Sequence, residues 1–305
     1  MLDLLKRSLV PSFDASSAPR RDFIAAALAP SMAAVSSFGA ADASAAQSLG
    51  QPIRSEFMSF KSEDEEFRAH FRFARDLVER GETLTWYHFL VFMIADGQRP
   101  EPVVRFEGIE YSYFQRLKPL TYRIHAHNLS FPRHLTTGQF VEQARNPLTD
   151  EMIDVPPTIL TQDPGVIDSP KGYLPLDSKT TKPSKTYSFY RIEGDLLRRE
   201  HVRAAPASWP MPFIETSTAW VDLKTFQDAS VTSLPIHTSG FYVAPWPRWM
   251  KMSDRKGHML GSWTGRKLGS TAELPREFRA KAEKERPDLL QARWSELERP
   301  LPFAI

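Results

Sequence analysis

The sequence predicts a mainly β protein, an antiparallel sheet that is barrel-like or strongly curved, with a short helical segment at its C-terminal end. Three observations predict it. Apolar and polar residues alternate with a period of two over several runs, turn signals separate those runs at short spacing, and 25 prolines against 14 glycines in 305 residues favour many short elements over long helices.

The first such run is residues 67–73, with Phe67, Ala69, Phe71 and Phe73 on one side and Arg68, His70 and Arg72 on the other, which predicts a half-buried strand. Gly81-Glu82 makes a turn, and residues 85–95, apolar on both faces and rich in aromatic and β-branched residues, read as a central strand. Runs at 103–107, 110–117 and 121–129, divided by Gly108 and Lys118-Pro119, predict a meander. A short strand pair is expected around residues 146–151, and a hairpin over 186–193 and 196–203 turning at Gly194-Asp195. Residues 156–183 hold six prolines and little periodicity, the pattern of a long surface loop. Further strands are expected over 213–223 and 240–252. The tail reads as two helices, 276–285 and one opening at Pro287 and running to Glu298.

The N-terminus carries an address. Arg20-Arg21-Asp22-Phe23-Ile24 precedes an alanine-rich apolar run to Val35 and an Ala43-Ser44-Ala45 cleavage pattern, which resembles a twin-arginine signal. The expected division is therefore a signal over 1–45, a linker over 46–62 and one β-rich domain over 63–305, placing the processed chain in the periplasm or outside the cell, with the twin-arginine export machinery as a partner. The apolar run is shorter than the ~20 residues that span a bilayer, so no stable membrane insertion is expected.

Composition narrows the chemistry. With no cysteine, disulfides, thiolate metal sites and a cysteine nucleophile are excluded. A formal charge of +2 with no block of like charges gives no footprint for nucleic acid. Walker, Gly-x-Gly-x-x-Gly and His-Glu-x-x-His motifs are missing, Ser253 to Lys256 matches Ser-x-x-Lys without its companion motifs, and no cofactor is specified.

The remaining candidates are constellations. His125 and His127 point to one face of a strand and could share an ion with a third ligand from His70, His88, His134 or His201, or they could be ordinary half-buried histidines; no metal site is assigned. Trp86 and His88 share a face, as do Tyr111 and Tyr113, and with Trp246 they suit either an aromatic-lined pocket or a packed core. Arg191, Arg198, Arg199 and Arg203 with Lys185 could receive a carboxylate or phosphate, or form a solvated hairpin face.

The chain resembles the family known as domain of unknown function 1838. The resemblance is carried by Asn146-Pro147-Leu148-Thr149-Asp150-Glu151, Trp246-Pro247, Gly257-His258-Met259-Leu260, Leu274-Pro275 and Arg286-Pro287-Asp288-Leu289-Leu290, and extends from about Glu63 to the C-terminus. Asp150 stands where the family's turn has glycine. The resemblance implies one exported domain and no particular reaction.

Two functions are expected from these residues. The first is binding of a small, partly apolar or aromatic molecule in the sheet's cavity, contacted by Trp86, Tyr111, Tyr113 and Trp246 under the proline-rich loop as a lid. The alternative is a cofactor-independent hydrolase, lyase or isomerase in which His88, His125 and His127 perform acid–base chemistry and Arg123 stabilises an anion.

Overall fold

The computed structural model describes residues 54–162, 164–176, 187–204, 214–252 and 254–301; the twin-arginine segment, Lys185 and Ser253 lie outside them. In chain order the elements are β1 (Ser55–Met58), α1 (Glu63–Ala74), β2 (Arg80–Ala95), β3 (Glu101–Lys118), β4 (Thr121–Arg133), β5 (Gln143–Arg145), β6 (Met152–Asp154), β7 (Thr158–Thr161), β8 (Val166–Ser169), β9 (Gly172–Pro175), β10 (Tyr187–Glu193), β11 (Leu196–Ala204), β12 (Ile214–Asp222), α2 (Leu223–Gln227), β13 (His237–Ala244), β14 (Gly257–Leu268), α3 (Arg276–Glu285) and α4 (Trp294–Glu298). One antiparallel sheet runs in the order β1-β10-β11-β12-β13-β14-β2-β3-β4-β8-β9, with β7 also on β4, while β5 and β6 form a separate hairpin. Among the described residues its two ends do not pair, so the sheet does not close as a barrel, and it curves enough for α1 to pack against both ends.

The run 67–73 is a helix, not the strand its alternation predicts. Phe67 and Phe71 pack with Phe114, Tyr122, Ile124 and Val166 of the β3-β4-β8 end, whereas Ala69 and Phe73 pack with Tyr190, Ile192, Leu197 and Val221 of the β10-β11-β12 end. Two residues turn a helix by about 200°, so a helix wedged between two walls buries every second residue and imitates a strand's period. Its start is written in the chain: Ser62 Oγ accepts from Glu65 N (3.2 Å), and Glu63, Asp64, Glu65 and Glu66 occupy the first turn. At its other end Lys267 Nζ donates to the carbonyls of Arg72 and Arg75, both at 3.0 Å. The concave face of the sheet is therefore the one that carries α1.

The long strands differ from the expected short ones. Gly108 does not interrupt the meander, because β3 runs through it opposite Tyr87 of β2. Residues 156–183 are not simply a loop, since β7, β8 and β9 lie in the described part of that stretch and pair with β4 and with one another. The stretch expected as linker supplies β1, paired with β10. Beyond Ala244, residues 245–252 leave the sheet with a 3-10 turn at Arg248–Met250, and β14 is a central strand that sequence reading missed. The second tail helix is broken into a 3-10 turn at Pro287–Leu289 and the short α4. Asp150 has φ of 66°, the left-handed conformation that favours glycine, in accord with the residue expected at that turn.

The outer face is half covered. Leu84, Ile109, Tyr111, Tyr113, Leu129 and Phe131 pack under Phe278, Ala282, Leu289 and Leu297 of the C-terminal segment. On the opposite, concave face the β5-β6 hairpin, with Met250 and Met252, packs on Val91, Met93, Val104 and Phe106.

Candidate functional site

The sequence-predicted site residues fall in three places. Trp86 and His88 lie on the outer face, lining a shallow depression of about 260 Å³ with Arg105, Glu107 and Arg133. Its buried element is Glu107, which accepts from Trp86 Nε1 (3.0 Å) and Arg133 Nε (2.6 Å). His88 Nε2 is 2.8 Å from Thr264 Oγ1, and burial lowers the imidazole's pKa against the pull of Glu107.

Arg123, His125, His127, Tyr111 and Tyr113 form the second group, sealed beneath the C-terminal segment. The Tyr113 hydroxyl donates to Glu296, and His125 Nδ1 lies 3.3 Å from the same carboxylate. His127 Nε2 meets the Leu289 carbonyl at 2.8 Å, and Arg123 donates to the carbonyls of Leu297 (3.1 Å) and Arg299. Tyr111 donates to Glu82 at 2.8 Å. The polar row of β3 and β4 thus clasps residues 287–299, meeting backbone carbonyls and the Glu296 carboxylate of that segment. Among the described residues no three metal donors converge, at His125 and His127 or elsewhere. Trp246 is the third case, lining a separate depression with Arg255 and Lys256 and donating to the Arg255 carbonyl at 2.9 Å.

The concave face offers a different arrangement, built by glycines. Strand register places Tyr87 beside Gly108 and Gly265, Tyr242 beside Gly261, and Trp263 beside Gly240. A Cβ at Gly261 would collide with the Tyr242 ring, one at Gly240 would come within 2.9 Å of Trp263, and one at Gly108 within 2.9 Å of Tyr87. Each ring therefore lies flat across the neighbouring strand, and Phe89, paired with Trp263 and 6.1 Å from Tyr242, completes an aromatic floor. All four rings remain partly exposed.

Polar groups rim this floor. Tyr87 Oη is 3.4 Å from Asn128 Oδ1. Arg203 pairs with Glu215 at 2.7 Å and Arg75 with Glu110 at 3.5 Å. Burial raises the Tyr87 and Tyr242 phenols, with Glu110 and Glu215 adding to the effect, so both stay neutral hydrogen-bonding groups. At the α1 end His70 lies between the two ends of the sheet, its Nε2 3.8 Å from Asp168 of β8 and its ring 5.5 Å from His201 of β11. In the sequence His70 and His201 are possible third ligands for His125 and His127; the structure brings them to each other instead. Their meeting was hidden because it depends on α1 being a helix that draws β8 and β11 together. Of the hairpin arginines, Arg199 and Arg203 face this groove, and Arg191 and Arg198 face outward beside Glu193.

The C-terminal third of the chain has a recorded counterpart. Residues 208–301 match the family described as Protein of unknown function (DUF1838). The similarity to DUF1838 spans β12, β13, β14 and the C-terminal helices, and so includes Trp246-Pro247, Gly257 to Leu260 and the tail motifs; the turn at residues 146–151 lies outside it. The match takes in Tyr242, Gly261 and Trp263 of the aromatic floor, whereas Tyr87 and α1 precede it. No curated protein matches the chain.

Proposed function

We propose that this protein binds a small molecule with an apolar or aromatic body in the concave groove between α1 and the β5-β6 hairpin. The observation that carries the reading is the floor of Tyr87, Tyr242 and Trp263 lying flat over glycines, with Phe89 beside them on Phe106. A closed core would fill this interior with upright side chains; flat rings keep their faces open for stacking, and the phenols and Asn128 add the few polar groups that orient a ligand.

The test is a fluorescence titration with N-phenyl-1-naphthylamine, a neutral aryl probe. Replacing Tyr242 by alanine removes a ring worth about 1.5–3 kcal/mol of burial, so the probe's Kd is expected to rise tenfold or more. An unchanged Kd in Tyr242→Ala would remove the groove as the binding site, while a change confined to Trp86→Ala would move the site to the outer depression.

Export belongs to the same proposal, resting on Arg20-Arg21 and the alanine-rich run after them. Arg20→Lys with Arg21→Lys is expected to leave full-length precursor in the cytoplasm, read by fractionation and immunoblot; normal secretion of the double variant would exclude the twin-arginine route.

A further inference from the structure

Four cations of the concave side are accommodated in different ways. Arg75 and Arg203 have the carboxylates of Glu110 and Glu215, and Lys267 is held by two carbonyls and, at 3.3 Å, by Ser233 Oγ. Arg199 is the exception. It is 7% exposed, it lies over the Phe73 ring, and its Nη1 reaches His70 Nδ1 (3.3 Å) and the His70 carbonyl (3.4 Å). Among the described residues no carboxylate pairs with it and its Nε has no acceptor; the Tyr190 phenol beside it is uncharged, its pKa pushed up to about 12 by burial. A guanidinium buried without a counter-ion is costly, and the cost falls sharply when an anion arrives.

The neighbours of Arg199 favour such an arrival. His70 Nδ1 accepts from Arg199, which puts the ring's proton on Nε2, facing Asp168, and leaves the Arg199 charge uncancelled. His201, next on the same face of β11, takes Ser188 Oγ at Nδ1 (3.0 Å). Burial, with Arg199, His70 and Arg203 nearby, lowers its pKa to about 2, so it is a neutral hydrogen-bonding group in a positive surrounding. The His70 side chain keeps 21% of its surface exposed, which opens the cluster to the groove.

We propose that Arg199, with His70, His201 and Ser188, is an anion subsite at the α1 end of the groove, and that the ligand is an amphiphilic organic anion whose carboxylate or similar acid group docks here while its apolar body lies on Tyr87, Tyr242 and Trp263. This deepens the groove reading and rests on it. Arginine suits the task because its planar fork binds an acid group through two parallel hydrogen bonds.

The experiment titrates the full chain with two probes of one aryl skeleton, 8-anilinonaphthalene-1-sulfonate and the neutral N-phenyl-1-naphthylamine. The expected result is that the wild-type protein prefers the sulfonate at least tenfold. Arg199→Met removes that preference while changing the neutral probe's Kd less than twofold, and Arg199→Lys retains part of it. Equal preference in wild type and Arg199→Met overturns the subsite, as does a parallel loss of both probes, which would make Arg199 a purely structural residue. Should Arg199→Met fail to fold by circular dichroism, His201→Asp sets a carboxylate in the subsite and must abolish the sulfonate preference; an unaltered ratio overturns the proposal. Failure of the groove itself reads differently, as a Tyr242→Ala variant that binds the neutral probe normally.

Discussion

Phe71→Ala should lower the free energy of unfolding by about 3–5 kcal/mol, the range for deleting a fully buried aromatic side chain. Phe71 is 0% exposed and its ring lies 4.0 Å from Tyr122, stacked, and 5.5 Å from Phe114, edge-on. The ring is the wedge between α1 and the β3-β4 wall, packed among Phe67, Phe114, Tyr122 and Ile124. Urea denaturation followed by tryptophan fluorescence measures the loss. The matched control is Phe57→Ala, a ring 71% exposed on the outer edge, for which a change within about 0.5 kcal/mol is expected. A Phe71→Ala loss as small as the control's would mean that α1 rests on the sheet without bracing it.

A loss of about 3–5 kcal/mol is also expected for Glu107→Ala, by another mechanism. Glu107 is 6% exposed, and Arg133 meets one of its oxygens through Nε at 2.6 Å and Nη2 at 2.5 Å while Trp86 Nε1 occupies the other. Removing the carboxylate leaves a largely buried guanidinium and an indole N–H without their acceptor, the costly way to break a buried pair. Arg133 keeps the Gly138 carbonyl, the Phe140 ring and the exposed Glu277, which limits the damage. Glu107→Gln preserves an acceptor for Trp86 and should cost less, and adding Arg133→Met to Glu107→Ala should recover part of the loss. A cost below 1 kcal/mol, with no coupling in the double-mutant cycle, would class the pair with ordinary surface ion pairs.

The strands between Arg80 and Arg133 and between Tyr187 and Asp222 were legible as strands but not in length, since Gly81-Glu82 and Gly108, expected as a turn and a break, lie inside β2 and β3. The errors have a common physical origin in tertiary context. Residues 67–73 alternate because two walls flank a helix, and the better clue, Ser62 followed by four acidic residues, is a helix-start signal that periodicity outweighed. Residues 257–268 hide a central strand because Gly257, Gly261 and Gly265 interrupt its apolar run, yet Gly261 is what lets the Tyr242 ring of the adjacent strand lie flat. The side-by-side placement of Trp86 with His88, and of Tyr111 with Tyr113, was read correctly from parity. Which of the two faces turns inward could not be read so, since parity is symmetric and only α1 makes one side concave.

In a closed barrel the girth follows from the number of strands and their stagger, so it changes in large steps. Here one helix stands in the gap, and the separation of the two sheet edges is governed by the bulk of Phe67, Phe71 and Phe73. Exchanging these for smaller or larger side chains would tune the breadth of the groove gradually, with every backbone pairing left as it is, which gives such a scaffold a route to new ligands that a sealed cylinder lacks.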